Sequence, residues 1–499
     1  MNQQPATGSD LQLSAISDWS TLYRLTQSVD YLQRCAHYLP HLVDFDPLFN
    51  ELFVNLDTAL CNHREDRLAI NQIRQQLVAP VYGCWIARWH RLLQSQLGWP
   101  PCALRHPASK RSSASGVRRI LFVARQILAP AHSPTRVCVD IGYGLQQRGI
   151  ELLVINSNSF PGTNQLRFSG GLIANLSHHY VGSQLVNFGD DTKLPMVSVD
   201  RHGVDLEKLL RLLTAAQDFG PDLVLSHGTG NIVGDLLAKH YPTISLPTAD
   251  MPPMTAAPIV VDFLNSFDEL NWPRVSDASP KLRSLPNAIR TRSPKRSISR
   301  IELNIGPDHI VYVIVGNRLD DDMSADFENL LNAIVQAVPQ ALLLMVGQKK
   351  HPWKSTAGER LDRVVRFLPY ESDLPALFSI SDVYLNPPRR GGGISCLIAL
   401  QQGLPCVSYP GGDAGRLLDG TCVQESPIAY AEQAISLGIH SRYRARARQQ
   451  SAELVAKIPS FEQMIDKLLN LGLEALRCGP IQSPPSPATP SPMDNSSTE

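Results

Sequence analysis

Residues 382–412 of the sequence read DVYLNPPRRGGGISCLIALQQGLPCVSYPGG. The short apolar run at 383–385 predicts a buried strand, and the Asn-Pro-Pro after it ends the strand because proline cannot donate to a ladder. Three glycines come next, followed by apolar residues at helical spacing and by Gly403, which is typical of a helix C-terminus. Since 404–407 predicts another strand, the unit is strand, glycine turn, helix, strand.

The glycine turn predicts an anion site. Glycines let the backbone approach a ligand closely, and the free amides of a helix's first turn favour a phosphate. Gly391, Gly392, Gly393 and Ile394 would supply the amides, and Ser395 adds a hydroxyl donor. The alternative is a tight strand-to-helix turn without a ligand, and the turn residues alone do not decide between the two.

The composition bounds the class of protein. The 499 residues contain 46 Lys and Arg against 46 Asp and Glu, so no global field favours nucleic acid, and membrane association is peripheral at most. No apolar stretch is long enough for a secretory signal or a spanning helix. The nine scattered cysteines contain no Cys-x-x-Cys pair, which predicts ordinary thiols in the cytoplasm.

The order of apolar patterns predicts two α/β domains behind a helical region. The expected parts are a helical domain 1–106, a linker 107–117, a first Rossmann-like domain 118–275, a hinge 276–305, a second Rossmann-like domain 306–478 and a disordered tail 479–499.

The helical region carries aromatic residues at 82, 85 and 89, and its residues name no partner. Burial statistics predict that these rings are core or a docking face rather than a cofactor box. In the first α/β domain, the turn after the opening strand lacks Gly-x-Gly-x-x-Gly, which disfavours a dinucleotide-binding dehydrogenase.

Several polar groups are predicted at the carboxyl ends of parallel strands, where open α/β sheets bind ligands. They are Arg318 with Asn317, the 391–395 turn, His227 and the 129–136 loop that contains His132. The adjacent acidic run 320–322 is interpreted as capping of the next helix.

The runs DRVVRFLP at 362–369, DLPALF at 373–378 and SDVYL at 381–385, taken with the glycine turn, resemble the nucleotide-sugar half of GT-B glycosyltransferases of the family-four type. Other details are similar to the protein-glycosylating group, which includes O-GlcNAc transferases and bacterial adhesin N-glycosyltransferases. The resemblance spans about 118–460. It implies two facing Rossmann-like domains and places the nucleobase near Phe367, Leu368 and Pro369.

The resemblance implies transfer of a sugar from a nucleoside-diphosphate donor, UDP by default, to a protein, glycan or lipid-linked acceptor. We expect Asn317, Arg318 and the 391–395 turn to bind the diphosphate in place of a metal, since a guanidinium and helix amides can stabilise that charge. His227 matches the family's strand-end His and is the predicted base, with His132 as the rival. Of Arg389 and Arg390, one is expected to touch phosphate and the other to be solvated.

The sequence departs from the retaining family's E-x7-E pattern, because Arg390 and Ile398 stand where the two glutamates would be. The stereochemical outcome therefore stays open. A non-catalytic GT-B adaptor for another transferase is the rival function, and a sugar-nucleotide epimerase is a weaker one.

Overall fold

A computed structural model of the chain describes residues 8–44, 46–63, 66–99, 116–129, 132–161, 180–189, 191–248, 251–267, 272–276, 279–316, 319–347, 355, 357–369, 371–418 and 422–479. The first part is helical, and its helices are α1 (Gly8–Thr26), α2 (Val29–Tyr38), α3 (Asp46–Asn62), α4 (Arg67–Ile73) and α5 (Ala79–Leu97). A π-helical segment, Arg74–Val78, joins α4 to α5.

The first α/β domain is built on an eight-stranded sheet. Its strands are β1 (Arg119–Ala124), β2 (Glu151–Asn156), β3 (Gly182–Asn187), β4 (Lys193–Ser198), β5 (Leu223–His227), β6 (Thr243–Leu246), β7 (Ile259–Asp262) and β8 (Lys281–Ser284). Its helices are α6 (Ser133–Gln146), α7 (Leu206–Phe219) and α8 (Ile232–Leu237). The strand order is β3-β4-β2-β1-β5-β6-β7-β8, and every pair is parallel except β3 with β4. The segment predicted as a hinge thus contributes β8.

The second domain is built on a parallel sheet in the order β11-β10-β9-β12-β13. Its strands are β9 (Ile310–Gly316), β10 (Ala341–Gly347), β11 (Val365–Leu368), β12 (Val383–Leu385) and β13 (Cys406–Val407). The helices are α9 (Leu319–Asp322), α10 (Ala325–Ala337), α11 (Glu359–Val364), α12 (Leu374–Ser379), α13 (Gly393–Gln401), α14 (Gly412–Leu417), α15 (Pro427–Ile439), α16 (Ser441–Lys457) and α17 (Phe461–Cys478). The predicted class, two Rossmann-like domains behind a helical region, is confirmed.

Strand β1 shows how the first sheet is covered on both faces. Ile120 and Phe122 pack with α6 and α17, whereas Leu121 and Val123 pack with α7, α8 and the N-terminal helices. Side chains alternate across a strand, so a continuous apolar run buries both faces of a parallel sheet. Helix α17 returns from the second domain to the first, where it packs against α6.

The N-terminal helices share one core with the first sheet. Tyr82, Trp85 and Trp89 of α5 are no more than 2% exposed, which confirms the prediction that these rings are buried. The Tyr82 hydroxyl donates to Asp235 of α8 at 2.6 Å, so a buried hydrogen bond ties the two parts together. Burying three such rings stabilises the contact strongly, because each aromatic ring removes about 150–250 Å² from water.

No helix within the described ranges is long and apolar enough to cross a bilayer. No disulfide joins any two of the eight cysteines in the described part of the chain.

Candidate active site

The glycine turn lies between β12 and α13, as the sequence predicts. Gly392 is the N-cap of α13 and adopts φ 95° and ψ 0°. A Cβ on Gly392 would lie 2.3 Å from Asn386 Oδ1, whereas a Cβ on Gly391 would meet nothing within 4 Å. The left-handed conformation and the close approach of Asn386 therefore both require glycine at 392, and only open space surrounds 391.

This difference gives a matched pair of variants. Gly392→Ala should lower the free energy of unfolding by about 1–3 kcal/mol, because it forces a Cβ into a left-handed position against Asn386. Gly391→Ala should change the free energy of unfolding by no more than about 0.5 kcal/mol, because its Cβ would meet open space. Urea denaturation of both variants measures this, and equal losses would contradict the turn geometry.

Arg389 stabilises the glycine turn through hydrogen bonds to the residues around it. Its guanidinium donates to Asp322 Oδ2 at 2.8 Å, to the Val315 carbonyl at 2.7 Å and to Asn386 Oδ1 at 3.0 Å. Asp322 is 6% exposed and is a buried ion-pair partner of Arg389, whereas Ser324 caps the next helix, α10. The interpretation of Asp322 as a helix cap is therefore wrong. Burial lowers the pKa of Arg389, but Asp322 and Tyr384 outweigh it and raise the pKa overall.

Arg390 connects the turn to the N-terminal helices. Its Nη2 donates to the His63 carbonyl, just beyond α3, at 2.7 Å. The expectation that one of the two arginines is solvated is therefore wrong, because both guanidinium groups are engaged within the protein. A contact 327 residues apart in sequence brings the helical region to the edge of the glycine turn.

Two cavities meet at this turn. The first, of about 210 Å³, lies between the domains, and both His227 and Gly391–Gly393 line it. The second, of about 180 Å³, lies over the ends of β9 and β10 and is lined by Ile398 and Ser395. Gly391, Gly392, Ile394 and Ser133 line both cavities, so the two cavities adjoin at the turn. The Ser395 hydroxyl also exchanges a hydrogen bond with Tyr384 at 2.8 Å.

His227 ends β5 and faces the first cavity. It is 3% exposed, its ring lies 5.7 Å from Phe122, and no hydrogen bond to its imidazole forms within the described residues. Burial, with a smaller contribution from His132, lowers its pKa to about 3. The imidazole is thus neutral near pH 7 and can accept a hydrogen bond.

His132, the rival base, lies at the N-cap of α6. Its Nδ1 is 3.0 Å from Thr135 Oγ1, and burial lowers its pKa to about 4. It is absent from the described lining of both cavities, whereas His227 lines the first. The geometry therefore favours His227, although both roles remain predictions.

The remaining residues predicted for the donor site are not found in the lining of the two cavities within the described residues. Asn317 and Arg318 lie outside the described residues. Phe367 and Leu368 end the edge strand β11, and Pro369 follows it. None of the three lines the two cavities, and Phe367 is 38% exposed. Their nucleobase role stays a prediction.

Carboxylates around the cavities were not predicted from sequence. Asp140, Asp262 and Asp413 line the first cavity, and Glu371 lines the second. Asp140 is bound by Arg292 at 2.5 Å, and Asp262 accepts the backbone amides of 264 and 267. Asp140 lies in α6, Asp413 in α14 and Glu371 between β11 and α12, so these acids share no local sequence signal. Only Asp262, at the end of β7, is in a position that would have suggested a ligand.

Residues 310–438 match the family model described as glycosyl transferases group 1. The second domain is a group 1 glycosyltransferase domain. A comparison with curated protein sequences finds no significant match. The predicted GT-B family and enzyme class are thus confirmed at the level of this domain and the fold.

Solved structures similar to the chain share the GT-B fold around this group 1 domain. An O-GlcNAc transferase mutant from Thermobaculum terrenum is 14% identical with a TM-score of 0.55, covering 93% of this chain and 85% of that one. A sucrose-phosphate synthase from Thermosynechococcus elongatus is 14% identical with a TM-score of 0.52, covering 72% and 100%. WaaG, a glycosyltransferase involved in lipopolysaccharide biosynthesis, is 13% identical with a TM-score of 0.51, covering 70% and 99%.

Proposed function

We propose that the protein transfers a hexosyl group from a nucleoside-diphosphate sugar, a UDP-sugar by default, to a protein, glycan or lipid-linked acceptor in the cytoplasm. The observation that carries the proposal is that one interdomain cavity is lined by both His227 and the turn Gly391–Gly393. A group 1 domain supplies the donor side, and the first domain supplies the only histidine in the described lining.

The turn accounts for the departure of the nucleoside diphosphate. As the bond to the anomeric carbon breaks, negative charge grows on the diphosphate, and donors already aimed at that charge stabilise the transition state more than the ground state. Residues at the start of α13 line both cavities, and the free amides of a helix's first turn, with the positive end of its dipole, favour an anion. We propose that these groups act without a metal.

His227 accounts for activation of the acceptor. A neutral imidazole accepts the proton of a hydroxyl or amide as that atom attacks the anomeric carbon. A pKa near 3 makes His227 a weak base in the empty cavity, but a bound diphosphate would raise it by adding negative charge nearby. The base would thus strengthen when the donor is present.

The rival, a GT-B adaptor without turnover, is favoured by two positions. Ile398 lines the second cavity where the resemblance implies a carboxylate, and Arg390 binds the His63 carbonyl instead of facing the donor sugar. An adaptor would bind nucleotide and turn nothing over.

A screen of UDP-, GDP- and ADP-sugars by thermal shift tests donor binding, because a ligand that binds only the folded state raises Tm. Each donor that binds is then followed by nucleoside-diphosphate release, with and without EDTA. Release that EDTA leaves unchanged supports metal-independent transfer, and binding without release supports the adaptor. No shift with any donor would contradict both. Conversion of the donor without release of diphosphate would indicate the epimerase.

A further inference from the structure

We infer that Arg136 of the first domain binds the diphosphate of the donor, so that the phosphates are held between the two domains. The inference rests on the proposed function and adds a residue that acts across the cleft. Arg136 is 8% exposed, yet it lines the second cavity together with Gly391, Gly392 and Ser395. A cation of the first domain therefore faces a cavity whose lining, apart from Ser133 and Arg136, belongs to the second domain.

The position of Arg136 follows from α6. The helix begins at Ser133, which lines both cavities, and Arg136 is one turn along, with its amide donating to the His132 carbonyl at 2.9 Å. The N-terminus of α6 thus opens toward the place where the cavities meet. Pro134, at the second helical position, has no amide hydrogen to offer a ligand, so a side-chain cation is the stronger anion-binding group at this end.

The opposite wall is the start of α13. Gly391, Gly392 and Ile394 line the same two cavities from the second domain. The first turns of α6 and α13 therefore face a common space, and each contributes the positive end of its dipole. A diphosphate at the turn would meet Arg136 from one domain and backbone amides from the other, an arrangement that fits an anion with oxygens on two sides.

The charges around the second cavity agree with an anionic ligand. Two carboxylates line it, Asp322 and Glu371, and each already has a cationic partner. Asp322 is paired with Arg389 at 2.8 Å, and Glu371 is paired with Arg296 at 2.5 Å while also accepting the Asp373 amide at 2.7 Å. An incoming diphosphate would thus meet neutralised carboxylates and a guanidinium.

The test compares UDP with uridine by isothermal titration calorimetry on the full chain. Arg136→Met should raise the Kd for UDP by about 10- to 100-fold, the usual loss for a hydrogen bond to a charged group. Uridine, which lacks phosphate, should bind the variant and the unchanged protein equally. Arg136→Lys should recover part of the loss, because it restores the charge without the fork of donors.

Arg148→Met is the matched control. Arg148 lies just beyond the other end of α6, where it pairs with Asp466 at 2.7 Å, and it lines neither cavity within the described residues. The same substitution there should leave the Kd for UDP unchanged. Circular dichroism and Tm show whether each variant is folded.

The outcomes separate this inference from the proposed function. If the unchanged protein binds UDP and Arg136→Met binds it equally well, Arg136 has no part in donor binding while the proposed function stands. If Arg136→Met loses affinity for UDP and for uridine equally, Arg136 maintains the structure of the cavity and does not bind phosphate, which would overturn the inference. If the unchanged protein binds none of UDP, GDP and ADP, the proposed function fails as well.

Discussion

Replacing His227 by alanine should lower kcat for sugar transfer by about 10²- to 10⁴-fold, the usual contribution of general acid–base catalysis. The loss is expected in the chemical step, because His227 faces the cavity in which the acceptor would meet the donor sugar, while the second cavity contains no part of it. The Kd for UDP should therefore stay within about twofold, as expected for removal of a group that acts only in the transition state.

His132→Ala is the matched control for this variant. Both histidines lie near the start of α6, with His227 buried and His132 half-buried, and desolvation lowers the pKa of each, but only His227 lines the first cavity. We expect the His132 variant to retain most of kcat. If instead it loses activity and His227→Ala does not, the base must be reassigned to His132; if neither loses activity, the proton goes to another acceptor.

The pH dependence of activity provides a second test of the role of His227. A free histidine titrates near 6.5, but burial holds His227 neutral down to about pH 3. Because the folded pKa lies below the unfolded value, the neutral form that accepts a proton is present at pH 6.5 and is lost only as the pH falls well below it. A plot of kcat/KM, which reports groups of the free enzyme, should accordingly show no fall near pH 6.5 that depends on His227. An acid limb at that pH that disappears in His227→Gln would show an exposed histidine instead.

The parts of the fold that follow local rules could be predicted from sequence. The apolar run at 310–316 predicts a strand, and the glycines at 391–393 predict a turn, since strands, turns and helix starts depend on neighbouring residues. His227 was predictable because a polar residue that ends a buried strand of a parallel sheet reaches the ligand-binding edge.

The contacts that hold the site together could not be predicted in this way. Arg389 pairs with Asp322 over 67 residues, and Arg390 reaches the His63 carbonyl over 327 residues. Contacts over such long separations leave no repeating pattern in the sequence from which they could be predicted. From the sequence alone, the acidic run 320–322 therefore looks like a helix cap, and its pairing with Arg389 appears only in the structure. The same holds for Arg136, whose proposed role depends on a cavity that residues between Val315 and Ile398 of the second domain line.

Replacing Arg389 by methionine should cause the largest loss of stability, about 3–5 kcal/mol, because it leaves the buried carboxylate of Asp322 without its partner. Both side chains are nearly sealed from water, at 8% and 7% exposed, so solvent cannot compensate for the missing charge. The Val315 carbonyl and Asn386 Oδ1 lose donors at the same time. Urea denaturation measures the loss.

Arg296→Met provides the comparison, because Arg296 also pairs with a carboxylate of the second domain. Arg296 forms an ion pair with Glu371, but its side chain is 60% exposed, and an exposed pair is worth about 0–1 kcal/mol. If Arg389→Met costs no more than Arg296→Met, the buried pair does not support the turn. Arg389→Met combined with Asp322→Leu should be more stable than Arg389→Met alone, because the second change removes the unpaired charge. The double variant should nevertheless bind UDP weakly, since Asn386 and the turn at Gly392 still lack the guanidinium that holds them in place.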